Sequence, residues 1–204
     1  MSPKMGLYGL IPASIAILFI AVAIGVNRWQ YKKESMSKYI QHESYTGLWK
    51  LCIETTLTYS KPSVTNLGTI TVKETSSTCD DIAAFSTQKT LKFISVVKYI
   101  LFATLVCMVL AILGTLVKHF VLKEWLHEKQ QIGLGYITAM LAFLTGVLAI
   151  AAFGVYGAEV KYEGYTLQAG FYLAVTAAIL SWISAAMFLA GSICIGAKMY
   201  PDMK

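Results

Sequence analysis

The sequence predicts an all-α membrane protein, a four-helix bundle in the bilayer carrying a small antiparallel β-sheet formed by its long first loop. Three observations predict it. Hydrophobic residues make up 56% of the 204 and charged ones 14%, with a mean hydropathy of +0.61. A soluble domain averages about 45–50% apolar and about 25% charged residues, so this chain lacks the polar surface to face water all round. Four uncharged runs are each long enough to cross a hydrocarbon core. Between the first two lies one long loop in which β-branched residues alternate with polar ones.

The spans follow from the charge-free runs. Met5 to Asn27 carries no charge, Tyr99 to Val117 none, Ile132 to Ala158 none and Gly164 to Ala197 none. A bilayer needs about 20 such residues, which places spans at about 7–27, 95–117, 132–158 and 168–195 in a single tetraspan domain over 1–204. The excess in the last two runs is expected to project as helix or ordered loop. Lys98, at the edge of the second span, reads as an interfacial anchor. Lys4, the apolar run and Ala21-Val22-Ala23 also fit a cleavable leader, but the run is present in the chain and is expected to serve as an uncleaved signal anchor.

The connections are a long loop at 28–92, a charged connector at 118–131 and a short loop at 159–167. Gly47 to Tyr59 and Leu67 to Lys73 read as an antiparallel ribbon around a turn-like Ser60-Lys-Pro-Ser63. Thr69 to Val72 alternates polar and apolar as a strand requires. Two signals disagree about which side this loop faces. Arg28, Lys32, Lys33 and Lys38 follow the first span and only Lys4 precedes it, which taken alone would put the loop in the cytoplasm. Cys52 and Cys79 both lie in the loop, and a cysteine pair among strand signals reads as a disulfide, which persists on the oxidising side. The cysteines decide for an outside loop, hence a multi-pass plasma-membrane protein with both termini cytoplasmic. The loop is itself net basic, nine Lys and Arg against six Asp and Glu, so charge lends this topology no support.

Trp29 at the end of the first span, then Gly47-Leu48-Trp49, Cys52 and, further on, Cys79 form the pattern W…GLWxxC…C in the first loop of a four-span chain. This resembles the claudin, epithelial membrane protein and voltage-gated calcium-channel γ-subunit superfamily, and the resemblance covers nearly the whole chain. It implies a left-handed bundle with a sheet on its outer face, in which Trp29 and Trp49 anchor the sheet to the helices. Twenty-six residues intervene between Cys52 and Cys79, more than claudins have there, and Phe85-Ser-Thr-Gln-Lys89 looks like the same place in the muscle-type γ subunit. The nearer likeness is therefore to the γ subunits.

Chemistry is sparse. Spans one, three and four hold no ionisable residue, which a proton relay or an intramembrane nucleophile would need. His42, His119 and His127 lie outside the spans without a metal-ligand spacing around them, and Gly133-Leu-Gly135 lacks the rest of a dinucleotide loop and reads as close helix packing. Cys107 and Cys194 read as small apolar packers. No catalysis, cofactor or metal is expected. The basic residues form no stripe, so no nucleic acid is expected either. Gly154 and Ala158, and Ala177, Ser181 and Ala185, repeat at four-residue spacing and are expected to pack helix against helix inside the bundle. The expected function is an auxiliary subunit lying in the bilayer beside an integral membrane partner, a channel or receptor, and modulating its gating or trafficking. The alternative is a claudin-like junction or adhesion protein that associates homotypically across cell contacts.

Overall fold

A computed structural model describes residues 5–37, 39–62, 69–82, 88–121, 128–160 and 164–199. The chain begins with a helical turn, α1 (Met5–Tyr8), and α2 (Leu10–Gly25). Four strands follow: β1 (Gln30–Ser35), β2 (Ile40–Thr46), β3 (Lys50–Pro62) and β4 (Thr69–Asp81). Then come α3 (Gln88–Leu116), α4 (Glu128–Val155), β5 (Thr166–Leu167) and α5 (Ala169–Met199). Wider-wound turns extend α3 over Val117–Val121 and α4 over Tyr156–Val160.

Four helical stretches are long and apolar enough to cross a membrane: Gly6–Gly25, Thr90–Phe120, Gln130–Val160 and Ala169–Ile195. Their inner faces are built from small residues. Ala13, Ala16, Ala23, Ala142, Ala152, Ala174 and Ala177 are all fully buried, which lets backbones approach where lipid gives no hydrophobic drive to associate. Several buried Ser and Thr hydroxyls are satisfied within their own helices: Thr104 donates to the carbonyl of Ile100 at 2.7 Å and Ser181 to that of Ala177 at 2.7 Å. Outward, Phe102, Val106, Leu110, Ile137, Met140 and Ile179 are exposed, a surface that suits hydrocarbon and not water. Fold and outer surface are consistent with a multi-pass membrane protein.

The sheet is antiparallel in the order β4-β3-β2-β1-β5. The expected two-strand ribbon is thus its outer half only. β1 and β2 were not legible, and β5 comes from the short loop between the last two spans, pairing Gln30 with Leu167 and Tyr31 with Thr166. The expected turn at Ser60 to Ser63 is corrected as well: Ser60, Lys61 and Pro62 continue β3 opposite Thr71, Ile70 and Thr69, while Ser63 and Leu67 lie outside the described residues. A proline is tolerated there because β2 stops at the Ile40–Leu57 pair. The N–H of Thr58 points to that side, donating to Tyr39, so by the two-residue period position 62 faces a lane where no strand asks for a donor.

Two further expectations shift. The helix that carries the second span starts at Gln88, ahead of the expected 95, and runs on past Lys118 to Val121, so much of the expected 118–131 connector is helical; residues 122–127, His127 among them, lie outside the described residues. Lys118 is not a loop residue but is buried between helices. Only Gln88 and Lys89 of the Phe85–Lys89 segment fall within the described residues.

Candidate functional site: the seam between sheet and bundle

A helix leaves its last carbonyls without partners. At the end of α2 two of these are met by tryptophans. The indole N–H of Trp29 donates to the carbonyl of Ala23 at 2.7 Å, and that of Trp49 to the carbonyl of Ile24, also at 2.7 Å. Trp29 reaches back from just after the helix, whereas Trp49 arrives from the β2–β3 turn, so the turn Gly47-Leu48-Trp49 is fastened to the first span. Leu48 is buried beneath it. Gly47 is required by proximity: a Cβ there would meet the Asn27 backbone and lie 2.8 Å from its Oδ1.

Trp29 is fully buried and is the centre of the seam. Its ring centroid is 4.7 Å from that of Tyr156 at the end of α4, and Gly170 at the start of α5 leaves the room its edge occupies. Backbone bonds converge on the same place: Trp29 N–H to Thr46, Gln168 N–H to Trp29 and Gly170 N–H to Arg28, each at 2.9 Å. Ile82 donates to the Trp49 carbonyl at 3.0 Å, tying in the strand that leads to α3. All four spans are thus joined to one residue cluster. Above it Cys52 and Cys79, facing each other across β3 and β4, form a disulfide. Lys98, expected as an interfacial anchor, holds its ammonium 4.2 Å from the centre of the half-exposed Trp49 ring. Two polar atoms of the seam, Oδ1 of Asn27 and Oγ1 of Thr46, are buried with no hydrogen-bond partner among the described residues.

The sheet carries a charged ladder. Lys33 pairs with Glu43 at 2.8 Å, and Tyr45 donates its hydroxyl to the same carboxylate at 2.9 Å. The Arg28 guanidinium lies 4.8 Å over the Tyr45 ring, which in turn packs 5.1 Å from Tyr31. The hydrogen bond from Lys33, followed by that from Tyr45, holds the Glu43 carboxyl below its ordinary range. Partial burial and then Glu43 push the Tyr45 hydroxyl up. Glu43 sits opposite Glu54, a like-charged cross-strand pair that would be unfavourable without Lys33. On the other side Lys32 pairs with Glu34 at 2.5 Å, and Ser44 donates to the Tyr165 hydroxyl at 2.8 Å, linking the two loops.

Sequence reasoning identified Trp29, Gly47, Leu48, Trp49, Cys52 and Cys79, and the structure brings all six into the seam or the strands next to it. Of the small-residue motifs, Ala177, Ser181 and Ala185 are buried in the bundle as expected. Gly154 and Ala158 are not: both are exposed, and a Cβ on Gly154 would meet nothing within 4 Å. The close approaches are at other glycines. A Cβ on Gly9 would fall 2.7 Å from Phe188, one on Gly114 2.7 Å from Thr138, and one on Gly146 would strike the Trp182 indole. Of the expected Gly133–Gly135 pair only Gly135 is a contact. Reasoning from the chain also missed Tyr156, Gly170 and Lys118, each of which looks in sequence like any other residue of a span end.

Among the described residues no three His, Cys, Asp or Glu side chains converge. The seam's chemistry is that of a structural joint whose outer surface presents aromatic and basic groups. No protein-family model matches the chain, and no curated protein matches it.

Proposed function

We propose that this chain is a non-enzymatic tetraspan protein of the plasma membrane, with both termini cytoplasmic, that lies beside an ion channel or receptor as an auxiliary subunit and biases its gating or trafficking. The observation that carries the reading is the seam. Because Trp29 and Trp49 fasten the sheet to α2, a partner touching the sheet and a partner touching the spans meet one rigid unit. Such a unit acts by binding one state of its partner more tightly than another, since a ligand shifts an equilibrium only through differential affinity. The W…GLWxxC…C pattern supports the same reading through its likeness to calcium-channel γ subunits.

The test is purification in mild detergent, identification of the membrane protein that co-elutes, and co-expression of the two. A gating shift of about 1–3 kcal/mol is expected, the usual size of a coupling free energy. Replacing Trp49 or Cys52 should weaken it by loosening the sheet.

A second reading, a claudin-like junction protein, is favoured by one observation: β4, 13 residues long, is bonded to β3 on one side and forms the sheet's edge. Expression alone in contacting cells separates the two readings. Strands concentrated at contacts without any partner would favour the junction protein, and diffuse membrane staining the auxiliary subunit.

A further inference from the structure

Where the first span ends, a polar hollow opens. The apolar stretch of α2 closes at Gly25, and the next three residues, Val26, Asn27 and Arg28, wall a hollow of about 260 Å³ against one face of the sheet. Tyr45, Glu54 and Ser77 are among the residues the sheet contributes. The register puts these on one face: Tyr45 stands opposite Cys52, and Glu54, two residues further along β3, stands opposite Ser77.

Charge is sorted by sign around the hollow. Arg28, exposed, lies 4.8 Å over the Tyr45 ring. Glu54, half-buried, stands next to Glu43 across the ladder. Lys33 answers Glu43 at 2.8 Å, so the row sets two carboxylates beside one lysine, and a cation arriving at Glu54 relieves their repulsion. Arg28 is not that cation. The ion pairs among the described residues are Lys32–Glu34 and Lys33–Glu43, so the guanidinium and the Glu54 carboxylate border the same hollow without meeting.

A ligand that answers both carries an anion and an amine close together, and the height of the hollow says where it comes from. Hydrocarbon ends where the charge-free helix ends, so the wall residues after Gly25 lie at the level of phospholipid headgroups. The space is small, of a size for a headgroup. Headgroup amines differ in what they offer. A primary ammonium donates N–H bonds to a carboxylate. A trimethylammonium donates none and seeks an open aromatic face, and the face of Tyr45 is already taken by Arg28.

We propose that this hollow binds the phosphoethanolamine headgroup of a phospholipid in the sheet-side leaflet, with its phosphate at Arg28 and its ammonium at Glu54. The fork of N–H donors on a guanidinium fits phosphate oxygens. Binding requires that α2 span the bilayer and is independent of any partner protein.

The experiment is native mass spectrometry of the full chain in detergent, titrated with an equimolar mixture of dioleoyl phosphatidylethanolamine and dioleoyl phosphatidylcholine, whose tails are identical. Wild type should retain the ethanolamine lipid about fivefold over the choline lipid, the discrimination one ammonium–carboxylate pair at a half-open site provides. Glu54→Gln should bring the ratio close to one, and Glu74→Gln, on the opposite face of the sheet, should leave it unchanged. Arg28→Gln should lower retention of both lipids, since both carry the phosphate. Soluble glycerophosphoethanolamine, the same headgroup without tails, should bind more weakly than the lipid. Equal retention of the two lipids by wild type, an undiminished ratio in Glu54→Gln, the same loss in Glu74→Gln, or full retention in Arg28→Gln would each overturn the proposal. Binding of the soluble headgroup as tight as that of the lipid would overturn the assignment to a lipid. If Arg28→Gln does not fold, the wild-type ratio and the two glutamate variants decide it.

Discussion

Gly170 and Trp29 divide one small space between them: a Cβ on the glycine would stand 2.6 Å from Cδ1 and 2.7 Å from Nε1 of the indole. The ring cannot swing aside, because its N–H is committed to Ala23 and its face to Tyr156. Gly170→Ala should therefore cost about 1–3 kcal/mol, the usual penalty of overpacking. At about 2–4 °C per kcal/mol for a chain of this size, thermal unfolding in detergent would register it clearly. Gly154→Ala, with open space at its Cβ, should be neutral or raise stability by up to about 1 kcal/mol through helix propensity alone.

The two indole bonds differ in burial and should differ in worth. Trp29→Phe leaves the Ala23 carbonyl without a donor in a dry place, at a cost of about 1–3 kcal/mol. Trp49 is 40% exposed, so water or a headgroup can replace its indole beside Ile24, and Trp49→Phe should cost less. Equal losses in a chemical or thermal melt would contradict this ranking.

Thr46 offers the opposite sign. Its hydroxyl is buried with no partner among the described residues, so Thr46→Val removes an uncompensated polar group at nearly constant shape. A gain of about 1 kcal/mol is expected from unfolding measurements, against the loss most buried substitutions bring.

The Cys52–Cys79 bond closes a loop of chain that holds most of β3 and β4. Peptide mapping without reductant should recover the two cysteine peptides linked. The double replacement by serine should lower stability by about 3 kcal/mol in the chain-entropy account.

Acid should loosen the sheet before the helices. The Glu43 carboxyl is held below its unperturbed 4.5, first by the Lys33 hydrogen bond and then by Tyr45, so its contribution is complete above about pH 4.5 and is lost as pH falls through the lower folded value. Hydrogen exchange of β1 and β2 amides should rise over that acid range in wild type, and Glu43→Gln should flatten the dependence.

The spans were legible because a charge-free run is a property of the chain alone, requiring no knowledge of neighbours. Their ends were not. Lys98 and Lys118 were read as boundaries, yet one is sheltered by the Trp49 ring and the other by bare backbone at Gly135, so the helix passes both. β1 escaped notice because Gln30–Ser35 is charged on alternate and successive positions alike; its strand state comes from β2 on one edge and β5 on the other. Four-residue spacing identifies a helix stripe without saying which way the stripe points, which is why Ala177 and Ser181 face the bundle while Gly154 faces outward. The tryptophan–glycine pattern was legible as a motif, but its physical purpose, supplying donors to the final carbonyls of α2, required the helix end to be seen beside it.

β5 changes how force travels through this molecule. Because the strand from the second loop is stitched to β1, both pairs of spans are pinned at the sheet end. The pinned end is a fulcrum. With 28 residues in α4, a lever of about 42 Å, a tilt of about 5° at the seam displaces the far tip by about 4 Å. Any tilt of the helices about the seam is therefore largest at the end of the bundle away from the sheet.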